Sequence, residues 1–327
     1  MGSGALLEIR SLDVTYRTHG REAPAVRGVD LTVNQGETVG LAGESGCGKS
    51  TVAGTVLRLL PPSATVKGQV LLDGEDILGM SWGRLRAVRW AEAAIVFQGA
   101  MHSLNPVRRI GQQIAEAITT HESVTAAQAA VRATGLLEQV GLPASRSRAF
   151  PHELSGGQRQ RVMIAMALAC RPRLIIADEP TTALDVMVQA QVLDVLAGLV
   201  NELGVGLLLI SHDLSILSTT CDRAAVMYAG RIVEEGPAHR LFTDPVHPYT
   251  RALARAFPTI GDMRSRLAPA GLKGDPPHPE DLPPGCAFHP RCPVAEPGCA
   301  TVDVSLLDAA PGWRAACVHV GSWVDAS

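Results

Sequence analysis

The sequence predicts an α/β fold with an inserted helical region and a small cysteine-rich C-terminal extension. Three observations carry this. Two short apolar runs, RLIIADE at 173–179 and GLLLISHD at 206–213, end abruptly in polar residues, as buried parallel strands with functional groups at their carboxyl ends do. A glycine-rich segment, GESGCGKST, follows another apolar run and precedes a helical pattern. After about Phe257 the composition changes: proline becomes frequent, and four of the seven cysteines follow.

Each element follows from its local pattern. LLEIRSLDVTY and VRGVDLTV alternate apolar and polar residues, the period of half-buried strands. ETVGLAG is a short apolar run closing in glycine, and a helix is predicted from Lys49 to Leu60. ATVKGQVLLDGEDI reads as a strand followed by an Asp-Gly turn. From about Trp82 to Arg148 the spacing is mainly helical, with Ala-rich segments at 112–119 and 125–140 and one strand-like interruption, AAIVFQ. QAQVLDVLAGLVNEL keeps helical spacing between the two buried runs. PPHPEDLPP can be neither helix nor central strand, so 258–285 reads as an extended connector.

Bulk properties narrow the function classes. A chain of 327 residues is long for a single core and suggests one large domain with an appendage. It is 46% hydrophobic and 4% aromatic, the composition of a packed globular protein. With 29 basic and 32 acidic side chains the formal charge is −3, which gives no basic field for nucleic acid. No apolar run reaches the roughly 18 to 20 residues that span a bilayer. The opening MGSGALLEIR lacks the charged and apolar regions of a secretory signal. The expectation is a cytosolic chain whose membrane role, if any, comes through partners. In a reducing cytosol the cluster Cys286, Cys292, Cys299 and Cys317 reads as metal-binding before it reads as disulfides.

GESGCGKST fits G-x-x-x-x-G-K-[ST] with Gly43, Gly48, Lys49 and Ser50. Glycines let the backbone curl into a nest whose N–H groups point at phosphate oxygens, and the helix that starts there adds its positive end. Ser45, Gly46, Cys47 and Thr51 complete the candidate phosphate-binding set. Lys49 is expected to reach the outer phosphates, and Ser50 to ligate Mg2+. In LIIADEP, Asp178 ends an apolar strand, which would hold its carboxylate near the metal. Glu179 follows and could polarise an attacking water. ELSGGQRQR, 153–161, reads by itself only as a turn running into a helix.

The order of these segments says more. A phosphate loop is followed by Gln98 in IVFQ, then LSGGQ, IIADEP, ALD and SHD. From about Tyr16 to Asp213 this series resembles an ATP-binding-cassette ATPase, the motor subunit of ABC transporters. The resemblance implies a P-loop NTPase core over 1–257: a mixed sheet with a RecA-like lobe, an antiparallel β subdomain, and a helical subdomain at about 99–170. It implies ATP and Mg2+ as cofactors and a head-to-tail pair of ATPase subunits. Ser155, Gly156, Gly157 and Gln158 would then close on the γ-phosphate of ATP bound to the partner subunit, where close backbone approach needs small residues. Tyr16 would stack on adenine. Gln98 would sense the metal and the attacking water, Asp185 would contact the partner subunit, and His212 would hold the γ-phosphate and the water. Glu179 is present rather than replaced, which implies hydrolytic competence.

Beyond this core, HPYTRAL at 247–253 and GCAFHPRCPVAEPGC at 285–299 are similar to the tail of ATPases from dipeptide, oligopeptide and nickel importers. The branch implies peptides or a related solute as the substrate class, a second and different ATPase subunit, two membrane permeases and an extracytoplasmic binding protein. It implies a peripheral place on the cytoplasmic face of the membrane, with no nucleic acid. Over 258–327 the four cysteines, spaced C-x5-C-x6-C-x17-C, are implied by the resemblance to hold a [4Fe-4S] cluster, the alternatives being Zn2+ or free or disulfide-bonded cysteines; His289 and His319 could replace a thiolate but read as surface residues. Many members of the branch carry Asp-Pro where this chain has Gly99-Ala100, which loosens any inference about the solute. The alternatives are a soluble, non-transport ABC ATPase, an ABC exporter, or a regulatory iron–sulfur ATPase.

Overall fold

The computed structural model describes residues 4–18, 20–97, 99, 103–181, 184–256, 272 and 274–320. Gln98 and most of the predicted connector lie outside them. The chain forms two compact units. One comprises Met1–Leu6, Val33–Glu37 and Gly79–Leu208; the other comprises Leu7–Thr32, Thr38–Leu78 and Leu209–Ser327.

The second unit opens with β1 (Leu7–Thr18), β2 (Arg21–Val33), β3 (Thr38–Ala42), α1 (Lys49–Val56), β4 (Ala64–Leu72) and β5 (Glu75–Asp76). One sheet has the order β2-β1-β4-β5. Leu7, Ile9, Leu12 and Val14 of β1 are buried, the inward half of the alternation seen in the sequence. Asp73 and Gly74 join β4 to β5 with φ of 51° and 83°, the two left-handed residues of a tight hairpin turn. All five residues of β3 are buried. The predicted helix to Leu60 stops at Val56. Arg58 turns left-handed at φ 50°, and Pro61-Pro62 forbids helical backbone just before them.

The first unit contains α2 (Trp82–Val88), β6 (Ala93–Val96), α3 (Ile110–His121), α4 (Ala126–Gln139), α5 (Gly156–Ala167), β7 (Leu174–Asp178), α6 (Val186–Leu203) and most of β8 (Gly206–Ile210). β6 and β7 run parallel, and β8 flanks β7. Helices α3, α4 and α5 pack on one another, and Thr125 and Gln128 close a capping box on α4. By length and composition α6 is long and apolar enough to cross a membrane, with 18 residues and a mean hydropathy of 1.3, although Gln189, Gln191, Asp194, Asn201 and Glu202 interrupt its apolar sequence. Its buried Val192, Leu193, Leu196, Leu199 and Val200 form one stripe, as on a helix packed against a core.

The second unit resumes with α7 (Leu214–Thr220), β9 (Arg223–Tyr228), β10 (Arg231–Pro237), α8 (Ala238–Thr243), α9 (Pro248–Ala256), β11 (Leu307–Ala310) and β12 (Trp313–Ala315). Its strands follow the order β11-β12-β10-β9-β3, with β9 parallel to β3 and the others antiparallel. The cysteine-rich extension therefore adds a hairpin to β10. Glu234, fully buried, ties this hairpin to the HPYT segment. Its carboxylate accepts the Val246 N–H at 2.8 Å, the His247 N–H at 2.9 Å and the Trp313 indole N–H at 2.9 Å. His247 Nδ1 in turn accepts the Tyr249 N–H at 3.1 Å.

Candidate functional site

The phosphate loop is built by glycines that only a tight passage explains. Gly43, Gly46 and Gly48 have φ of 147°, 79° and 110°. A methyl group at Gly43 would overlap the Met227 carbonyl of β9, and one at Gly48 would overlap the Ala25 carbonyl of β2. The loop thus threads between two strands with no room for a side chain. Lys49 is buried at its centre, and its Nζ donates to the carbonyls of Gly43 at 2.7 Å and Glu44 at 2.9 Å. Cys47 lies 3.7 Å from that ammonium, and burial pushes its thiol pKa up against the lowering influence of Lys49. Ser45, Gly46 and Ser50 are exposed. Tyr16, half-buried on β1, shares a 3.2 Å hydrogen bond between its hydroxyl and Thr51 Oγ1, which joins the β1 ring to the first turn of α1. His212, in the same unit, is exposed beyond β8, and Asp213 beside it caps α7 through the Ser215 N–H at 2.8 Å.

The first unit carries the other candidates. Asp178 is buried at the end of β7. Glu179, the next residue, sits at φ 45°, a left-handed conformation that a non-glycine side chain adopts at a cost. Ser155 caps α5: its Oγ accepts the Gln158 N–H at 3.3 Å, while the Ser155 N–H donates to Gln158 Oε1 at 3.1 Å. Gly156 opens the helix. Gly157 is packed so tightly that an added methyl would overlap Val188 Cγ1 of α6. Asp185 caps α6 by accepting the Val188 N–H at 3.0 Å. The donors assigned to Mg2+, the Ser50 hydroxyl and the Asp178 carboxylate, are the hard oxygen ligands that ion takes.

Sequence reasoning missed Glu44, Tyr249 and Arg291. The Glu44 N–H donates to the Tyr249 hydroxyl at 2.9 Å, and its carboxylate takes two bonds from Arg291. Glu44 occupies an unconstrained position of the loop motif and Arg291 lies in the tail, so no local pattern connects them. Cys286, Cys292, Cys299 and Cys317 line one small cavity, together with Phe288 and Val294. The Cys286 N–H donates to the Cys299 carbonyl at 2.9 Å. Burial raises the thiol pKa of Cys286, Cys292 and Cys317, the last to about 11. His289 Nδ1 lies 2.9 Å from the Cys286 carbonyl, and His319 Nε2 lies 3.3 Å from the Val294 carbonyl. Among the described residues, no three His, Cys, Asp or Glu side chains converge closely enough to form a metal site.

A glycine loop between strand and helix, with a buried lysine inside it, is a phosphate-binding loop, and separately an Asp-Glu pair stands at the end of β7. The ABC transporter family matches residues 26–182, and the family described as oligopeptide/dipeptide transporter, C-terminal region, matches 233–299. The oligopeptide transport ATP-binding protein OppD of Mycobacterium tuberculosis is 48% identical over 318 residues, covering 96% of this chain and 52% of that protein. This chain therefore spans about half the length of that relative. A peptide import ATP-binding protein of Brucella abortus is 47% identical over 297 residues, 90% of this chain and 89% of its own. Among solved structures, a dimeric, post-hydrolysis state of the ATP-binding cassette MJ0796 bound to ADP and Pi matches with a TM-score of 0.64 and 27% identity, over 71% of this chain and 98% of that one. The structure of cbiO1 from Clostridium perfringens matches with a TM-score of 0.63 and 27% identity, over 73% and 91%. The chain belongs to the ABC transporter ATP-binding proteins and carries the oligopeptide/dipeptide transporter C-terminal region.

Proposed function

We propose that this chain is the ATP-hydrolysing subunit of an importer for di- or oligopeptides or a related solute. The observation that carries the reading is the likeness to peptide import ATP-binding proteins along nearly the whole chain, with the phosphate loop and Glu179 both intact. The backbone N–H groups of Gly43 to Thr51 and the Lys49 ammonium bind the phosphates, and Tyr16 stacks on adenine. Ser50 and Asp178 would hold Mg2+, which would supply charge neutralisation at the phosphoryl oxygens. Glu179 orients and deprotonates the attacking water, while Gln98 and His212 keep it in line with the γ-phosphate. Ser155, Gly156, Gly157 and Gln158 complete the corresponding site of a second ATPase subunit, and Asp185 meets that subunit at the same interface. The closed pair drives two permeases, fed by an extracytoplasmic binding protein, from the cytoplasmic face of the membrane. The domain assignment is an ATPase core over 1–257, with its helical subdomain at about 99–170, followed by a linker and cysteine-rich extension over 258–327.

We infer that Cys286, Cys292, Cys299 and Cys317 would hold a [4Fe-4S] cluster, with Zn2+ as the alternative. What supports a shared ligand is that all four thiols wall one small cavity, although among the described residues no three metal-binding side chains converge. Such a cluster would cross-link the extension through its four thiolates, and hydrolysis would need no electron from it.

The reading is tested with Glu179→Gln. ATP binding is expected to persist while turnover falls by about 10²- to 10⁴-fold, the usual worth of a general base. Near-normal hydrolysis by this variant overturns the assignment. Anaerobic purification followed by iron, sulfide and zinc analysis tests the cluster; about four irons per chain is the expected result.

A further inference from the structure

We propose that Arg291 is a positioning residue for ATP binding: from within the cysteine-rich extension it fixes Glu44 and thereby the part of the phosphate loop that anchors Lys49. The inference rests on the ATPase reading above. It adds a working part contributed by a segment that is otherwise only an appendage to the cassette.

Glu44 immediately follows Gly43, and three of its polar groups are each tied to a different element. Its N–H donates to Tyr249 of α9 at 2.9 Å. Its carbonyl accepts the Lys49 ammonium at 2.9 Å. Its carboxylate receives the Arg291 fork, Nη1 to Oε2 at 2.7 Å and Nη2 to Oε1 at 3.0 Å. This is the paired geometry that a guanidinium offers and an ammonium cannot. The Arg291 side chain is only 6% exposed and that of Glu44 21%, so solvent screens the pair little.

Arg291 is itself well fixed. It also donates to the Tyr228 hydroxyl at 3.3 Å and to the Gly274 carbonyl at 2.9 Å. Its guanidinium carbon lies 5.8 Å from the Tyr228 ring centre and 6.0 Å from that of Phe288. Those rings pack with Tyr249 in a tight trio, with centroids 4.6 Å apart for Tyr228–Tyr249 and 5.3 Å for each of the other two pairs. Tyr249 and Arg291 thus grip Glu44 from two segments braced by a single aromatic cluster. Phe288 and Arg291 both fall between Cys286 and Cys292, so the segment that walls the thiol-lined cavity also supplies the clamp. A pairing this buried costs heavily when one partner is cut away, because the other charge is left without a counterpart.

The test compares the unaltered chain with Arg291→Gln, Arg291→Lys, Glu44→Gln and the Arg291→Gln/Glu44→Gln double variant. A fluorescent ATP analogue gives Kd, steady-state hydrolysis gives kcat and KM, and circular dichroism checks folding. Arg291→Gln is expected to raise Kd and KM for ATP about tenfold, with kcat changed less than about threefold. Arg291→Lys, which keeps the charge but loses the fork, falls between wild type and Arg291→Gln. The double variant binds no worse than the poorer single one, because both remove the same interaction. Unchanged Kd in a folded Arg291→Gln or Arg291→Lys variant overturns the proposal, as do penalties that simply add in the double variant. If Arg291→Gln does not fold, the Arg291→Lys Kd decides by the same criterion. A wild-type chain that fails to bind the analogue refutes the ATPase reading instead, so the two failures are distinguishable.

Discussion

At Gly157 two demands fall on one position. The sequence places this glycine in LSGGQ, where the resemblance assigns its smallness to close approach of backbone to phosphate. The structure adds a second reason, because a methyl group there would overlap Val188 Cγ1. The two can be separated. Gly157→Ala is expected to cost about 1–3 kcal/mol in urea unfolding, the usual penalty for overpacking. Adding Val188→Ala restores most of that stability, and any loss of ATP turnover that remains belongs to the phosphate side. Gly48→Ala is a harsher change. It forces a side chain onto left-handed backbone at φ 110° and into the Ala25 carbonyl, so nucleotide binding is lost in the same titration that reads Lys49→Ala. The motif spacing alone marked both Gly43 and Gly48. What it could not reveal is that β2 and β9 are the walls, since those strands are distant in sequence.

At the level of the element, the knot around β10 explains why HPYT occurs where it does. In the sequence this segment served only to point to a branch of the family. Its physical basis is Glu234, which accepts N–H bonds from Val246, His247 and Trp313 and was invisible because no periodicity singles out one buried carboxylate. Burial is the leading influence on it and pushes its pKa above the ordinary carboxylate value, against the lowering effect of those donors. In the pH range between the ordinary and the raised value, the folded chain keeps a proton that the unfolded chain has lost. The stability this site contributes is therefore complete below the usual carboxylate range and is lost as pH rises through the raised value. Glu234→Gln is expected to flatten that part of the stability–pH curve, measured by urea midpoint. Trp313→Phe, which leaves a buried acceptor oxygen one bond short, is expected to cost about 1–3 kcal/mol. Helix α1 shows the limit of pattern reading in the other direction. Its apolar spacing continues to Leu60, but the left-handed turn at Arg58 ends the helix at Val56, with the Leu59 N–H bonded back to the Gly54 carbonyl.

On the scale of the whole molecule, the order of motifs made the cassette legible, because each lies at the end of a strand or the start of a helix that hydrophobic pattern alone could locate. The division into two compact units was not legible. Each unit draws on separated stretches of chain, and local composition carries no record of which stretches fold together. A global readout follows from the phosphate loop. ATP with Mg2+ at 100 times its Kd is expected to stabilise the chain by about 2.7 kcal/mol, seen as a higher melting temperature, and Lys49→Ala removes the gain. In the first unit, Ser155 caps α5 and Asp185 caps α6, and the two helices mesh where Val188 seats against Gly157. Those two ends consequently behave like neighbouring teeth cut from one plate. A push received at the serine arrives at the aspartate without slack, and whatever surface the plate meets must engage both together.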